Sequence, residues 1–301
     1  MPHIERILCP VDFSEFSETA YEYAQSLACH YNATLYLLHV MDSLEPYRCC
    51  YAFPEGYDEA LLGMRAAAQQ QLQEFAETHS QHLVKPRCTV IDGVATDLIL
   101  HFAEQREVSL IVMGTHGARG FDRLVLGAVT DKVLRKARRP VVAVRKPEHD
   151  VVTPGDGSDG IHLQRIVYCT DFSACSDEAL EHAVSIAEEY QAELTLLHVV
   201  EGVAATELEN EITKVRERLE RLIPPRAHGA TKSVALIGKP YQQIVGLALE
   251  SRADLVIMGV RGRNAADLAL LGSTTERVVQ LGPCPVLVVH ASKNETAKKG
   301  V

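Results

Sequence analysis

The chain lacks the signatures by which several large protein classes declare themselves. No stretch reads GxxxxGK[ST] and none reads GxSxG, so a Walker-type phosphate loop and a hydrolase nucleophile elbow are both missing. No carboxylate pair stands out as a general acid and base. Eight cysteines are present, none in a CxxC pair, and neither they nor the thirteen histidines fall into the tight, regular spacings of a metal site. Apolar runs such as Leu110-Ile111-Val112-Met113 stop far short of the roughly 20 residues of a membrane span. Positive charge is in deficit too. The formal net charge of −10 repels nucleic acid phosphates and anionic lipid surfaces. The start, Met1-Pro2-His3-Ile4-Glu5-Arg6, has neither the basic opening nor the apolar core of a signal peptide. The expectation is a cytoplasmic protein with no metal, no nucleic acid and no membrane as partner.

What the chain does contain is itself, twice. Val11-Asp12-Phe13-Ser14 returns as Thr170-Asp171-Phe172-Ser173, a shift of 159 residues, and Leu35-Tyr36-Leu37-Leu38-His39-Val40 returns at the same shift as Leu194-Thr195-Leu196-Leu197-His198-Val199. Later landmarks move by 145: Gly93 to Gly238, Gly114 to Gly259, Gly127 to Gly272 and Pro140 to Pro285. The difference places about a helical hairpin's worth of extra residues, including the vicinal Cys49-Cys50, after the second strand of copy one. Matches in the same order along both halves identify a duplication. The expected division is a first module over 1–146, a linker over 147–164, a second module over 165–291 and a tail over 292–301. The linker formally contains GxGxxG, but it lacks the flanking strand and helix that the dinucleotide fingerprint needs.

Each copy alternates short apolar runs with amphipathic segments. In copy one the runs 7–11, 35–40, 87–91, 110–113 and 141–144 read as strands, and helices follow near 17, 59, 97 and 128. Ser17 reads as the cap of the first helix. Copy two repeats the strands at 166–170, 194–199, 233–237, 255–258 and 286–289. The pattern predicts an α/β fold with two doubly wound, mainly parallel five-stranded sheets, Rossmann-like, with helices on both faces.

In such sheets ligands settle beyond the carboxyl ends of the strands, and the informative residues cluster there. Copy two has Gly259-Val260-Arg261-Gly262 after its fourth strand; nine residues intervene before Gly272-Ser273-Thr274, which opens the last helix. Glycines let backbone approach a ligand, a helix start offers free N–H groups to an anion, and Arg261 adds charge-assisted bonds to phosphate oxygens. At the end of strand one, Asp171 is placed to accept hydrogen bonds from an adenine or ribose edge. A glycine that only turns the chain, or a serine that only caps a helix, is the plainer explanation for any one of these residues. Their joint spacing favours a site.

The pattern G-x-x-G, nine residues, then G-S/T, with the first-strand Asp and the His-Val closing strand two, resembles the universal stress protein family over essentially the whole chain apart from linker and tail. The resemblance implies an adenine nucleotide as ligand, ATP, ADP or AMP, alone or with Mg. In copy two it assigns Asp171 and Val199 to the adenine and Gly259, Arg261, Gly262, Gly272, Ser273 and Thr274 to ribose and phosphates, with Met258 a further binding residue. In copy one the matching positions are Asp12, Val40, Met113, Gly114, Gly117, Gly127 and Ala128, with the hydroxyl of Thr130 close by as a further binding residue. Ala128 replaces Ser273 and His116 replaces Arg261, with Arg119 a substitute cation, so copy one is expected to bind weakly or not at all. The resemblance also implies that the last strands, 141–144 and 286–289, pair with each other inside the chain, and a homodimer of chains is a further expectation. The function implied is a stress-response regulator acting through nucleotide-dependent conformation or partner binding. Two rivals stand beside it: a slow ATPase or autophosphorylating enzyme working through Ser273 and Thr274, and a thiol or metal sensor built on Cys49-Cys50.

Overall fold

The computed structural model describes residues 4–42, 57–80, 84–117, 125–145, 161–203, 206–225, 231–261 and 271–290. The first half runs β1 (Arg6–Val11), α1 (Glu15–His30), β2 (Thr34–Met41), α2 (Tyr57–Thr78), β3 (Arg87–Asp92), α3 (Ala95–Gln105), β4 (Leu110–Gly114), α4 (Ala128–Lys136) and β5 (Val141–Val144). The second half repeats it as β6 (Arg165–Cys169), α5 (Ala174–Tyr190), β7 (Glu193–Val200), α6 (Leu208–Leu222), β8 (Thr231–Ile237), α7 (Pro240–Glu250), β9 (Leu255–Gly259), α8 (Ser273–Leu281) and β10 (Val286–Val289).

The strands form one sheet in the order β3-β2-β1-β4-β5-β10-β9-β6-β7-β8. Within each half the pairs are parallel, and the halves meet where β5 and β10 pair antiparallel, Val142 opposite Leu287. The two expected five-stranded sheets are therefore the halves of one ten-stranded sheet, joined by the strands expected to pair. Their union removes two exposed edges at once.

Strands buried on both faces explain the uninterrupted apolar runs. Along β1, Ile7, Cys9 and Val11 enter a core shared with α1, α2, α5 and α6, whereas Leu8 enters the opposite core, under α3, α4, α7 and α8. Each such fully buried aliphatic side chain contributes about 1.5–3 kcal/mol of transfer free energy. Ile161 and Leu163, at the end of the stretch read as linker, are buried in the first of these cores; residues 146–160 lie outside the described residues.

Helix starts differ by position. Helices α1 and α5 are capped by Ser14 and Ser173, whose hydroxyls accept from the Ser17 and Ser176 N–H groups. Ser14, not Ser17, is thus the cap of the first helix, because the chain turns one step earlier, at Phe13 with φ 63°. Helices α4 and α8 instead begin after Gly127 and Gly272, which supply no side-chain cap.

The halves also touch away from β5 and β10. The His30 ring stacks on Tyr190 with centroids 4.2 Å apart, and its Nε2 lies 3.3 Å from Glu189. His290 Nε2 donates to the Leu134 carbonyl at 2.8 Å, and the Arg145 guanidinium donates to the Gln280 carbonyl. Burial, with Arg261 nearby adding to it, lowers the His290 pKa to about 4, against the pull of the Leu134 carbonyl. His290 is therefore neutral at pH 7.

Candidate functional site

The winding reverses beside β1 and β6: α1 and α2 cover one face, α3 and α4 the other, and the second half repeats the arrangement. Two equivalent crevices result, one beyond β1 and β4 and one beyond β6 and β9, where an open α/β sheet places its ligands.

In the second crevice Asp171 is half-buried and its Oδ1 accepts from Ser173 N–H at 3.1 Å. The next residue, Phe172, is held at φ 61°, a left-handed conformation that costs an aromatic residue about 1–2 kcal/mol. Its ring pays no structural penalty of exposure, because it packs 4.5 Å from the His198 ring and the Arg218 guanidinium lies 3.8 Å from its centroid. His198 in turn places Nδ1 2.7 Å from the Thr170 carbonyl. The first crevice repeats this: Phe13 at φ 63°, its ring 4.4 Å from His39, and His39 Nδ1 2.9 Å from the Val11 carbonyl. The paired histidines thus fix the ends of β1 and β6, a backbone-holding role repeated by duplication. Val40 and Val199 are half-buried and pack against the core in which Met113 and Met258 are buried.

The glycines divide into two groups. A Cβ on Gly114 would stand 2.8 Å from the Phe16 carbonyl oxygen, and one on Gly259 2.9 Å from the Cys175 Cβ. Both are needed for the close approach of a strand end to the helix start beside it. Gly127 and Gly272 instead bring the chain back. Their N–H groups donate to the Thr115 and Val260 carbonyls at 2.9 and 3.0 Å, which seats α4 and α8 against the ends of β4 and β9. A Cβ on Gly117 would collide with Asp12 Oδ2. Gly262 and Arg119 lie outside the described residues.

Two hydroxyls complete the seats. Thr130 donates to the Gly114 carbonyl at 2.8 Å, and Thr275 to the Gly259 carbonyl at 3.0 Å; both threonines are buried. Thr130 therefore secures α4 to its strand, and its proton is not offered to the crevice. Thr275 did not emerge from the sequence, although a threonine sixteen residues after each strand-closing glycine was visible in both copies. The first intrahelical bond of α8 is made by Glu276 N–H to Gly272 O. The N–H groups of Ser273, Thr274 and Thr275 precede it without a side-chain cap, and Ser273 is exposed.

The crevices differ most beside this seat. His116 is 4% exposed, turned inward, with its ring 4.8 Å from Phe16 and Nδ1 2.9 Å from the Thr115 hydroxyl. Arg261, its counterpart, is half-buried, and its carbonyl receives the Ser173 hydroxyl at 3.4 Å. Asp12 also differs from Asp171: its Oδ1 accepts from both the Ser14 and Ser17 hydroxyls at 2.6 Å. The first crevice thus turns its histidine inward, while the exposed Asp12 is held by the serines that follow it.

Among the described residues no group of three His, Cys, Asp or Glu side chains is arranged to hold a metal ion, and no helix is long and apolar enough to cross a membrane. Burial pushes the Cys9 and Cys169 thiols well above their ordinary range and Cys284 up to about 12. All three are expected to resist iodoacetamide in the native protein and to react in urea, as peptide mass spectrometry would read. Modification of the native chain at any of the three would contradict the burial. Cys49 and Cys50 lie outside the described residues.

A doubly wound, mainly parallel sheet covered by helices on both faces places the chain among the Rossmann-like α/β folds. The model of the universal stress protein family matches residues 3–145 and 162–290, and the chain belongs to that family. A universal stress protein of Mycolicibacterium smegmatis is similar along almost the whole chain, 27% identical over 304 residues that cover 94% of this chain and 96% of that one. Universal stress protein MJ0531 of Methanocaldococcus jannaschii is 31% identical over 147 residues, 48% of this chain and 85% of the relative. The crystal structure of a universal stress protein from Archaeoglobus fulgidus shares the fold with a TM-score of 0.69, at 23% identity, covering 98% of this chain and all of that one.

Proposed function

We propose that this protein is a cytoplasmic stress-response regulator that binds an adenine nucleotide, ATP or its AMP and ADP relatives, chiefly in the second crevice. The observation that carries the reading is the start of α8. Three N–H groups without a side-chain cap, an exposed serine and the half-buried Arg261 converge at the carboxyl edge of the sheet. A helix start of this kind attracts anions through its free N–H groups and its dipole. Asp171, Val199 and Met258, at the other end of the same crevice, supply the carboxylate and apolar walls that a nucleoside needs. The first crevice keeps the uncapped α4 but replaces arginine with an inward histidine, so it holds phosphate weakly or not at all. In this reading nucleotide occupancy changes the conformation or the partner contacts of the chain, and Ser273 and Thr274 bind rather than react.

Calorimetric titration of the full chain with ATP, beside Gly272→Val and Gly127→Val, tests the proposal. A Cβ at Gly272 would stand 3.3 Å from the Val260 carbonyl oxygen, so a branched side chain crowds the seat. The expected result is one ATP per chain, lost in Gly272→Val and kept in Gly127→Val. Two equivalent sites would overturn the ranking of the crevices, and no binding would overturn the nucleotide reading.

A further inference from the structure

Two arginines of the first module reach onto a single short helix of the second. Arg145, the residue after β5, donates to the Gln280 carbonyl in the last turn of α8. Arg135, in α4, grips Asp131 through Nε at 2.9 Å to each carboxylate oxygen and brings Nη2 to 3.6 Å from Glu276, near the start of α8. Helix α8 has nine residues and is about 13 Å long. One carbonyl in its last turn is thus met by a fixed cation, the charge that the dipole favours there, while its first turn is held from the side. A rod this short, tied near both ends to its neighbour, keeps its axis.

The reverse arrangement is weaker. The corresponding end of α4 receives His290 at the Leu134 carbonyl, and that ring is neutral. The backbone joins are alike in the two halves: Thr115 N–H donates to the Val144 carbonyl at 3.0 Å and Val260 N–H to the Val289 carbonyl at 2.8 Å. The two seats therefore differ in the side chains that reach them across the module boundary, fixed cations on α8 and a neutral imidazole on α4. The asymmetry runs in the same direction as that between Arg261 and His116.

We infer that Arg145 and Arg135 are positioning residues for the anion seat at the start of α8, so that the first module serves the crevice of the second instead of filling its own. The inference rests on the nucleotide reading above and adds a role for the module that binds weakly. It concerns the phosphates alone. The nucleoside end of the crevice, at Asp171, Val199 and Met258, lies just beyond β6 and on β7 and β9, while the contacts of these arginines in the second module are with α8.

The experiment titrates the full chain with ATP and, separately, with adenosine, in wild type, Arg145→Met, Arg145→Lys and Arg135→Met, with thermal melts alongside. Arg145→Met is expected to weaken ATP about fivefold, the scale of one helix-terminal charge interaction, and to leave adenosine unchanged. Arg145→Lys should recover most of the loss, and Arg135→Met should weaken ATP about twofold. Equal weakening of ATP and adenosine would mean general loosening and overturn the inference, as would unchanged ATP binding in both methionine variants. If Arg145→Met fails to fold, Arg135→Met carries the same comparison. Wild type that binds neither probe removes the nucleotide reading itself, an outcome recognisable before any variant is compared.

Discussion

Gly259→Val is expected to lower the melting midpoint by on the order of 10 °C, whether or not any ligand is present. The added Cβ would meet the Cys175 carbonyl carbon and Cβ at 2.9 Å and the Ser176 N at 3.0 Å. Two of these three atoms are backbone, so no rotamer change relieves the contact. The end of β9 and the first turn of α5 must part, and α5 packs along the sheet beside β9 with Ala179, Ala183 and Val184 in the core. Overpacking of this kind costs about 3 kcal/mol, and a domain of this size loses a few degrees for each kcal/mol. Gly246 provides the opposite case. It lies inside α7, and nothing stands within 4 Å of its would-be Cβ. Gly246→Ala should therefore raise stability by about 0.5–1 kcal/mol through helix propensity. Scanning calorimetry of the two variants reads both signs. A Gly259→Val chain that melts with wild type would show that the strand and helix do not abut as described.

The second large effect is the gain of a site. The triple replacement Phe16→Cys, His116→Arg and Ala128→Ser gives the first crevice the residues that the second has at Cys175, Arg261 and Ser273. It removes the ring that holds His116 inward, installs a fixed cation and returns a hydroxyl to the start of α4. If those three features separate the crevices, ATP stoichiometry should rise from one to two per chain, with the new site within about tenfold of the old. Calorimetry on the triple variant, and on the triple variant carrying Gly272→Val, isolates the new site. Unchanged stoichiometry in a well-folded triple variant would place the difference elsewhere, in Asp12 with its two serine hydroxyls or in the exposed Val125 and Val129.

Much of the fold was legible because it is written in local pattern. Four-residue apolar runs such as 141–144 and 286–289 mark strands buried on both faces, and the repeat fixes their order twice over. The pairing of β5 with β10 followed from the family resemblance. What was not legible depends on segments distant in the chain. The inward turn of His116 requires Phe16, a hundred residues earlier, and nothing near His116 announces that partner. The same holds for Gly114 and Gly259, read as glycines that admit a ligand, whose close neighbours are the first turns of α1 and α5. The misplaced cap at Ser17 has a different origin. Two serines three residues apart both suit a helix start, and the left-handed Phe13 decides between them.

The antiparallel seam between β5 and β10 has a genetic consequence. Two separate copies that met along such a seam would share one gene, so every substitution would be imposed on both crevices at once. Here the halves are covalently linked, their local concentration does not fall on dilution, and each has its own codons. A change beside one seat leaves the other intact, as His116 in one half and Arg261 in the other already show.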